Sequence, residues 1–462
     1  MSGAPIAGIP TDGEIAVLGL ARSGRAVAKL LAGAGHSVYV SDSSDSNAVF
    51  AAAAELTASG IIAEAGGHDL ERIGRAALVV ASPGIPPSAA PLAAARARGV
   101  LVLSEIDVAL RSLHRSRVIA VTGTNGKSTV TAMIGGILRE LAGSAEVAGN
   151  IGRPLSEVAL LERAPDWIAL ELSSFQLHDS PSLAPAVGAL TNLSADHLDR
   201  YADVDEYYAD KALLFRNATA SSTWVSNADD ADSLRMTGSV AGRHARFSLS
   251  RPADAWLDSG ADVLRLGDDA LVPRSELPVL GRHNAANALA AALAVTVADE
   301  SFRGAAARER IARALRKFKP LLHRLELLGE FRGVQWINDS KATNVGAALV
   351  ALQAMERPTL LLLGGRHKGD PYAPLAGAVR RTVKRVIAYG EAARVIQEEL
   401  SPATDVRVMG DSFEAAVSEA ASGSAPGDAI LLSPACSSYD MFSSYEERGD
   451  RFRELVAAIG AR

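Results

Sequence analysis

Two hydrophobic rhythms alternate along the chain. Short continuous apolar runs mark buried strands, and apolar residues three and four apart mark helices with one buried face. Residues 15–19 form such a run, closing on a glycine. Ala26, Val27, Leu30, Leu31 and Ala34 then share a helical face before a second run at 38–40. Runs at 78–81 and 100–103 and a helical pattern over 106–113 continue the alternation. Strands joined through helices need right-handed crossovers, which predicts a parallel sheet. The polar, basic residues 114–117 end this unit, so a first domain is expected over residues 1–115.

A second unit opens with the buried-strand pattern 118–122, followed by helical spacing to about residue 141. Strand patterns recur at 168–172, 189–191 and 223–226. Residues 243–278, rich in Gly, Asp and Pro, read as a small β excursion, and an alanine-rich helix runs over 283–298. The next boundary falls near 317–320. Beyond it, strand patterns at 334–337, 359–363, 386–389 and 429–432 interleave with helices. The expected class is α/β with three domains, at residues 1–115, 116–320 and 321–462, and no fixed-period repeat.

Composition narrows the function classes. The 462 residues are 48% hydrophobic and 22% charged, enough for packed cores and a soluble surface. With 47 basic and 53 acidic residues the net charge is −6, which argues against a general nucleic-acid coat or an anionic membrane surface. A local positive pocket for a small anion remains compatible with that balance. The lone cysteine, Cys436, excludes an intrachain disulfide. The opening stretch lacks a basic start followed by an apolar core, and no apolar run approaches the ~20 residues of a spanning helix. A cytoplasmic chain without membrane insertion is expected, as is a monomer.

The strongest local signal is Gly123-Thr124-Asn125-Gly126-Lys127-Ser128-Thr129, between a strand and a helix. Glycines let backbone N–H groups turn toward a phosphate, and the helix N-terminus adds partial positive charge. Lys127 can reach the β and γ phosphates as a point charge, and the Ser128 hydroxyl can ligate Mg²⁺. The spacing departs from G-x-x-x-x-G-K-S/T, because Val121 stands at the outer-glycine position. ATP binding is expected here in preference to a glycine turn that only caps a helix.

A second glycine turn, Gly19-Leu20-Ala21-Arg22-Ser23-Gly24, follows the first strand, with Asp42 at the end of the second. It approximates G-x-G-x-x-G with its acidic partner, but the methyl of Ala21 hinders close approach of a pyrophosphate. Three readings stay open: a dinucleotide site, a structural turn, and a site for another nucleotide or sugar phosphate.

Further motifs follow in order: Gly149-Asn150-Ile151-Gly152, Glu171-Leu172-Ser173-Ser174-Phe175-Gln176, Thr191-Asn192-Leu193-Ser194-Ala195-Asp196-His197-Leu198-Asp199, and Gly281-Arg282-His283-Asn284-Ala285-Ala286-Asn287. Beyond them stand His323-Arg324-Leu325-Glu326, Asn338-Asp339-Ser340-Lys341-Ala342-Thr343-Asn344 and Leu432-Ser433-Pro434-Ala435-Cys436-Ser437-Ser438. Together with the phosphate loop, these make nearly the whole chain resemble the Mur ligases. The phosphate loop and the His-Asn-x-x-Asn element are shared with folylpolyglutamate synthetases. The stretches at 171–176, 338–344 and 433–436 resemble the D-glutamate-adding branch of the family.

That resemblance implies a Rossmann-like first domain for a uridine nucleotide, a P-loop-like ATPase core with a mostly parallel sheet, and a smaller Rossmann-like third domain for the incoming amino acid. The implied reaction is ATP-dependent ligation of D-glutamate to UDP-N-acetylmuramoyl-L-alanine through an acyl phosphate, in peptidoglycan precursor synthesis. The implied rivals are another Mur-type or folylpolyglutamate-type ligase. From a different class, a nicotinamide-dependent oxidoreductase would use the first glycine turn and Asp42.

Physical reading and resemblance combine at the individual residues. Ser128 and Glu171, an acid at a strand end, suit a hard cation, and two Mg²⁺ ions are implied. His197, beside Asp196, is expected near a second metal and as the candidate general base. Helical spacing makes Lys211 a surface lysine, whereas the resemblance implies a carbamoylated lysine that ligates Mg²⁺. Asn284 and Asn287 are spaced to read an adenine or ribose edge, with helix capping the alternative for Asn284. Arg324 suits bidentate phosphate binding. Asp339 and Lys341 follow a strand, at the sheet edge where ligands bind.

For D-glutamate the resemblance points to His323, Thr343, Lys368, Ser438 and Tyr445, where the family commonly has Phe at the last position. For the uridine nucleotide it points to Arg22, Ser23, Ser43, Ser44, Gly84 and Asn150. An arginine often stands in the family where Ser44 does here, so one phosphate contact is either missing in this chain or supplied by Arg22. Cys436 has no His–Asp partner nearby in sequence and reads as a small buried residue rather than a nucleophile.

Overall fold

The apolar runs are strands in the computed structural model, which describes residues 5–85, 88–196 and 201–460. His197 lies outside the described residues. The first sheet contains β1 (Glu14–Leu18), β2 (Ser37–Asp42), β3 (Ile62–Ala65), β4 (Leu78–Ala81) and β5 (Val102–Ser104). All pair in parallel, in the order β3-β2-β1-β4-β5. The order reverses between β1 and β4, and such switch points are where open α/β sheets take ligands.

The second sheet is built from β6 (Arg117–Thr122), β7 (Ala145–Gly149), β8 (Trp167–Glu171), β9 (Val187–Leu190), β10 (Thr223–Asn227), β11 (Arg243–Ser248), β12 (Ala255–Asp258), β13 (Val263–Leu266) and β14 (Asp269–Pro273). Its order is β14-β13-β12-β11-β10-β9-β6-β8-β7. Pairing is parallel except across β12, β13 and β14, the antiparallel end of the β excursion expected over 243–278. The third sheet comprises β15 (Glu326–Phe331), β16 (Val334–Asn338), β17 (Thr359–Gly364), β18 (Val383–Tyr389), β19 (Asp405–Val408) and β20 (Ala429–Leu432), ordered β15-β16-β20-β17-β18-β19. Only β15 pairs antiparallel. The α/β class with mainly parallel sheets is therefore borne out.

By compactness the chain forms two units, Met1–Glu276 with Ala285–Lys317, and Leu277–Asn284 with Phe318–Arg462. The first unit carries the first two sheets and the second unit the third. Within the first unit one apolar core runs from Ile15, Val17 and Leu31 to Ala120, Ile168 and Leu190, so its two sheets share a hydrophobic interior.

Strands buried on both faces read as unbroken apolar runs, as in β17, which is buried from end to end. Four strands escape the hydrophobic pattern: β3, β7, β15 and β19. Each closes a sheet edge, where one side meets water and the run is interrupted; no residue of β3 is buried. Local signals set several helix starts. The Ser104 hydroxyl accepts the Asp107 N–H at 3.1 Å and starts Glu105–Ser112, and a capping box between Ser173 and Gln176 starts Ser174–His178. Among the described residues, no helix is long and apolar enough to cross a membrane.

Candidate active site

At the end of β6 the chain enters a turn that requires glycine twice. Gly123 has φ of 140° and Gly126 of 80°. A Cβ on Gly123 would collide with the Thr191 hydroxyl, and one on Gly126 with the side-chain oxygen of Asn287. The segment after β9 braces the turn. Asn125 N–H donates to Asn192 Oδ1 at 2.9 Å, and Asn192 Nδ2 donates back to Asn125 O at 3.0 Å. Thr124 Oγ1 donates to Ser194 O and accepts from Ser194 N–H, each at 3.0 Å. Helix Lys127–Ala142 begins on Gly126 without a side-chain cap, the arrangement that favours an anion at its first N–H groups. Ser128 is buried and Thr129 half-buried on its first turn.

Two amines converge on this turn. Lys127 Nζ donates to Gly123 O at 3.0 Å and Thr124 O at 2.8 Å, and Lys211 Nζ donates to Gly123 O at 2.7 Å. Lys211 is 1% exposed and sits 4.6 Å from the centre of the Tyr207 ring, so the surface placement suggested by helical spacing is corrected. Spacing identifies the helix but not how deeply a neighbouring loop covers it. Burial, reinforced by the Lys127 charge, pushes the Lys211 pKa well below that of an ordinary lysine. It is thereby biased toward the neutral amine, with a nucleophilic lone pair. Its helix, Val204–Ala212, is pinned through Asp210, which accepts the Tyr201 hydroxyl at 2.8 Å and meets His178 Nδ1 at 2.7 Å.

Glu171, at the end of β8, is 1% exposed. Its Oε1 accepts Asn150 Nδ2 at 3.1 Å, while Oε2 has no hydrogen-bond partner among the described residues. An orphaned buried oxygen of this kind costs about 1–3 kcal/mol or more, and a hard cation is the ligand that suits it. The Asn150 N–H also donates to Glu171 O at 3.0 Å, so residues expected at the metal and at the sugar nucleotide are in contact. Among the described residues no cluster of three or more His, Cys, Asp or Glu stands ready to hold a metal.

The first glycine turn is arranged differently. A Cβ on Gly24 would collide with Gly19 O, so this glycine brings helix Arg22–Gly33 close to the strand end. Asp42 Oδ2 accepts Leu20 N–H at 2.7 Å and Oδ1 accepts Ser44 N–H at 2.9 Å. A carboxylate engaged on the backbone through both oxygens is poorly placed to read a ribose, which weighs against the dinucleotide reading. Arg22 Nε and Nη2 donate to the two Glu157 carboxylate oxygens at 2.7 Å each, and Nη1 donates to Gly152 O at 3.1 Å. Ser23 is half-buried on the helix, Ser43 exposed and Ser44 half-buried after β2, and Gly84 exposed after β4.

In the second unit, the residues after β16 meet those after β20. Asp339 accepts Leu325 N–H at 3.1 Å and the Ser433 hydroxyl at 2.8 Å, and burial pushes its pKa up to about 7. Lys341 Nζ donates to Tyr445 Oη at 2.9 Å, and the Thr343 N–H donates to Lys341 O at 2.8 Å. His323 is 4% exposed and its ring lies edge-on to Tyr445, with centroids 6.1 Å apart. His323 and Leu325 flank Arg324 with φ of 62° and 43°, left-handed conformations that cost non-glycine residues energy and cluster at ligand sites. Ser438 is buried and Lys368 exposed. Asn284 Nδ2 donates to Leu280 O at 2.7 Å from inside helix Arg282–Ala298, so it is not the helix cap. Cys436 is fully buried with its thiol 3.0 Å from Tyr372 Oη and its pKa pushed up to about 11, as a small packed residue would be.

Comparison with known proteins bears directly on these sites. A Mur ligase MurD-like N-terminal domain matches residues 13–104, a Mur ligase middle domain 121–295, and a Mur ligase glutamate ligase domain 323–436. The UDP-N-acetylmuramoylalanine--D-glutamate ligase of Anaeromyxobacter dehalogenans is 41% identical over 96% of this chain and 97% of its own length. That of Pelobacter propionicus is 40% identical, covering 97% and 99%. The chain belongs to the Mur ligase family. In fold, it is similar to a UDP-N-acetylmuramate-alanine ligase of Thermotoga maritima, with a TM-score of 0.60 at 19% identity, covering 97% of this chain and all of that one.

This Mur ligase also buries charged residues that sequence reasoning does not single out. Arg448 is fully buried. It donates to Ser340 Oγ and Ser340 O at 2.9 and 2.8 Å, to Cys436 O at 3.2 Å and to Ser437 O at 3.3 Å, tying the two site loops of the third sheet together. In sequence it follows Glu446 and Glu447 on a charged helix face, and nothing there signals burial. Glu105 is likewise fully buried, its Oε1 accepting Ser156 N–H at 2.6 Å between the first two sheets. Burial pushes its pKa up to about 7. Its position, straight after a strand, reads only as a helix start.

Proposed function

We propose that this Mur ligase adds D-glutamate to UDP-N-acetylmuramoyl-L-alanine, driven by ATP, in the cytoplasm and as a monomer. The observation that carries this reading is the meeting of Lys127, the buried amine of Lys211 and the nearby Glu171 carboxylate at the Gly123–Gly126 turn. The names of the relatives at about 40% identity support the choice of substrates. Residues 1–115 are assigned to the sugar nucleotide, through Arg22, Ser23, Ser43, Ser44 and Gly84. Residues 116–320 are assigned to ATP, with Asn150 reaching the substrate, and residues 321–462 to the amino acid.

In the first step the L-alanyl carboxylate attacks the γ-phosphorus of ATP, the bond to the β-phosphate oxygen breaks, and ADP and an acyl phosphate form. The Lys127 ammonium neutralises charge on the transferring group, and the N–H groups of the turn through Thr129 hold the phosphate chain. Lys211, as a neutral amine, would form an N–C bond to CO₂ with release of one proton to solvent, and the oxygens of that carbamate would join Ser128, Glu171 and His197 as the residues to hold Mg²⁺. When bound, two such ions would add positive charge beside the phosphoryl oxygens.

In the second step the D-glutamate ammonium loses one proton to become the amine, which attacks the acyl carbon, and the nitrogen gives a second proton to a base in the tetrahedral intermediate. Phosphate leaves from the tetrahedral intermediate. His197 is assigned as the base. Asn284, Asn287, Arg324, Asp339 and Lys341 are assigned to the nucleotide, and His323, Thr343, Lys368, Ser438 and Tyr445 to D-glutamate. The Lys368 ammonium suits the side-chain carboxylate.

The deciding experiment incubates purified protein with ATP, Mg²⁺, UDP-N-acetylmuramoyl-L-alanine and a panel of amino acids, including each glutamate enantiomer, and weighs the product. A mass gain from D-glutamate alone supports the assignment. Preference for L-glutamate or another amino acid overturns it.

A further inference from the structure

The first glycine turn holds a contact that the reaction does not explain. Helix Arg22–Gly33 starts without a side-chain cap and without an acidic residue in its first turn, so its N-terminus favours an external anion. Yet the Arg22 side chain is turned onto Glu157, with both carboxylate oxygens gripped at 2.7 Å. Glu157 lies on helix Leu155–Ala159, which packs against helix Arg22–Gly33 and directly follows the Gly149–Gly152 turn of the second sheet. The charges of Arg153 and Arg25 also favour the ionised carboxylate, behind the Arg22 contact.

We propose that Glu157 is a positioning residue for sugar-nucleotide binding: its carboxylate occupies Arg22 as an internal substitute for the diphosphate and is displaced when the diphosphate arrives. The proposal rests on assigning this turn to the uridine nucleotide. A forked guanidinium presents the same pair of parallel N–H donors to two oxygens of a carboxylate or of a phosphate, so one can replace the other without moving the backbone. The exchange favours the incoming group. The Arg22 and Glu157 side chains are 57% and 28% exposed, and exposed pairs of this kind shift an equilibrium by no more than about fivefold, whereas a diphosphate carries more charge. The charges of Arg153 and Arg25 still favour the ionised Glu157 once Arg22 has left it.

Calorimetric titration of the full chain with UDP, and with uridine as the uncharged control, tests the exchange. Glu157→Gln should tighten UDP about three- to fivefold and leave uridine unchanged. Arg22→Gln should weaken UDP and abolish the gain in the Glu157→Gln/Arg22→Gln double variant. In turnover, Glu157→Gln should lower the KM for the sugar nucleotide without moving that for ATP, a split that a purely structural staple would not produce. Thermal melts of each variant check that the fold is intact. Unchanged or weakened UDP binding in a folded Glu157→Gln variant overturns the proposal, as does a gain that persists in the double variant. If the wild-type chain itself binds no UDP, the assignment of the turn to a uridine nucleotide fails first and takes this inference with it.

Discussion

The two glycine turns of the first unit share a backbone plan and differ in their charges. Each ends a central parallel strand and opens a helix that has no side-chain cap. At Gly19–Gly24 the nearby charges are engaged elsewhere: Asp42 on backbone N–H groups, Arg22 on Glu157. At Gly123–Gly126 two amines meet over one carbonyl, and a buried carboxylate oxygen lacks a partner among the described residues. The shared backbone suits the holding of a phosphate. In the proposed reading, the side chains decide whether the phosphate is merely held or transferred.

The largest test of that contrast is Lys127→Ala. Turnover should fall by roughly 10²–10³-fold or more, while UDP affinity changes by less than about twofold, because the change is confined to one turn. Equal losses in both measurements would collapse the distinction. Lys211→Ala should fall nearly as far, and millimolar short carboxylic acids should restore part of the rate by supplying the missing oxygens. A variant that no acid rescues would remove the carbamate from the account.

A smaller effect is expected at the first turn. Asp42→Ala gives up two charge-assisted bonds, at about 1.5–3 kcal/mol each before relaxation. It should lower Tm and weaken UDP binding while sparing ATP binding; a weakened ATP site would mean the two turns are not independent. The smallest expected effect concerns Glu105, the buried acid joining the two sheets. Its folded pKa of about 7 lies above its ordinary 4.5, so between those values the folded chain holds a proton that the unfolded chain has released. Its contribution to stability therefore falls as pH rises through that window. Glu105→Gln should flatten that part of the Tm-against-pH curve, and an unchanged slope would assign it to other groups.

Much of this architecture is legible in the pattern of residues, for physical reasons. Strands such as β4 and β20, buried on both faces, must be apolar throughout, and their bounds at Leu78–Ala81 and Ala429–Leu432 follow directly. Edge strands β3, β7, β15 and β19 satisfy water on one side and lose that signature. The phosphate turn is legible because only glycine tolerates its dihedrals. Lys211 and Arg448 are not, since a cation on a helix looks solvated until tertiary packing covers it. Arg22 is half legible: the sequence marks it as a cation at a helix start, but its partner lies 135 residues away.

Cys436 has a practical consequence. It is the single cysteine of the chain, it is shielded from solvent, and its raised pKa keeps it as an unreactive thiol. A buried thiol with a raised pKa should label slowly with maleimide dyes in the folded chain. One cysteine engineered on the surface of each unit would give a clean donor–acceptor pair, and single-molecule fluorescence could then follow the distance between the units during turnover.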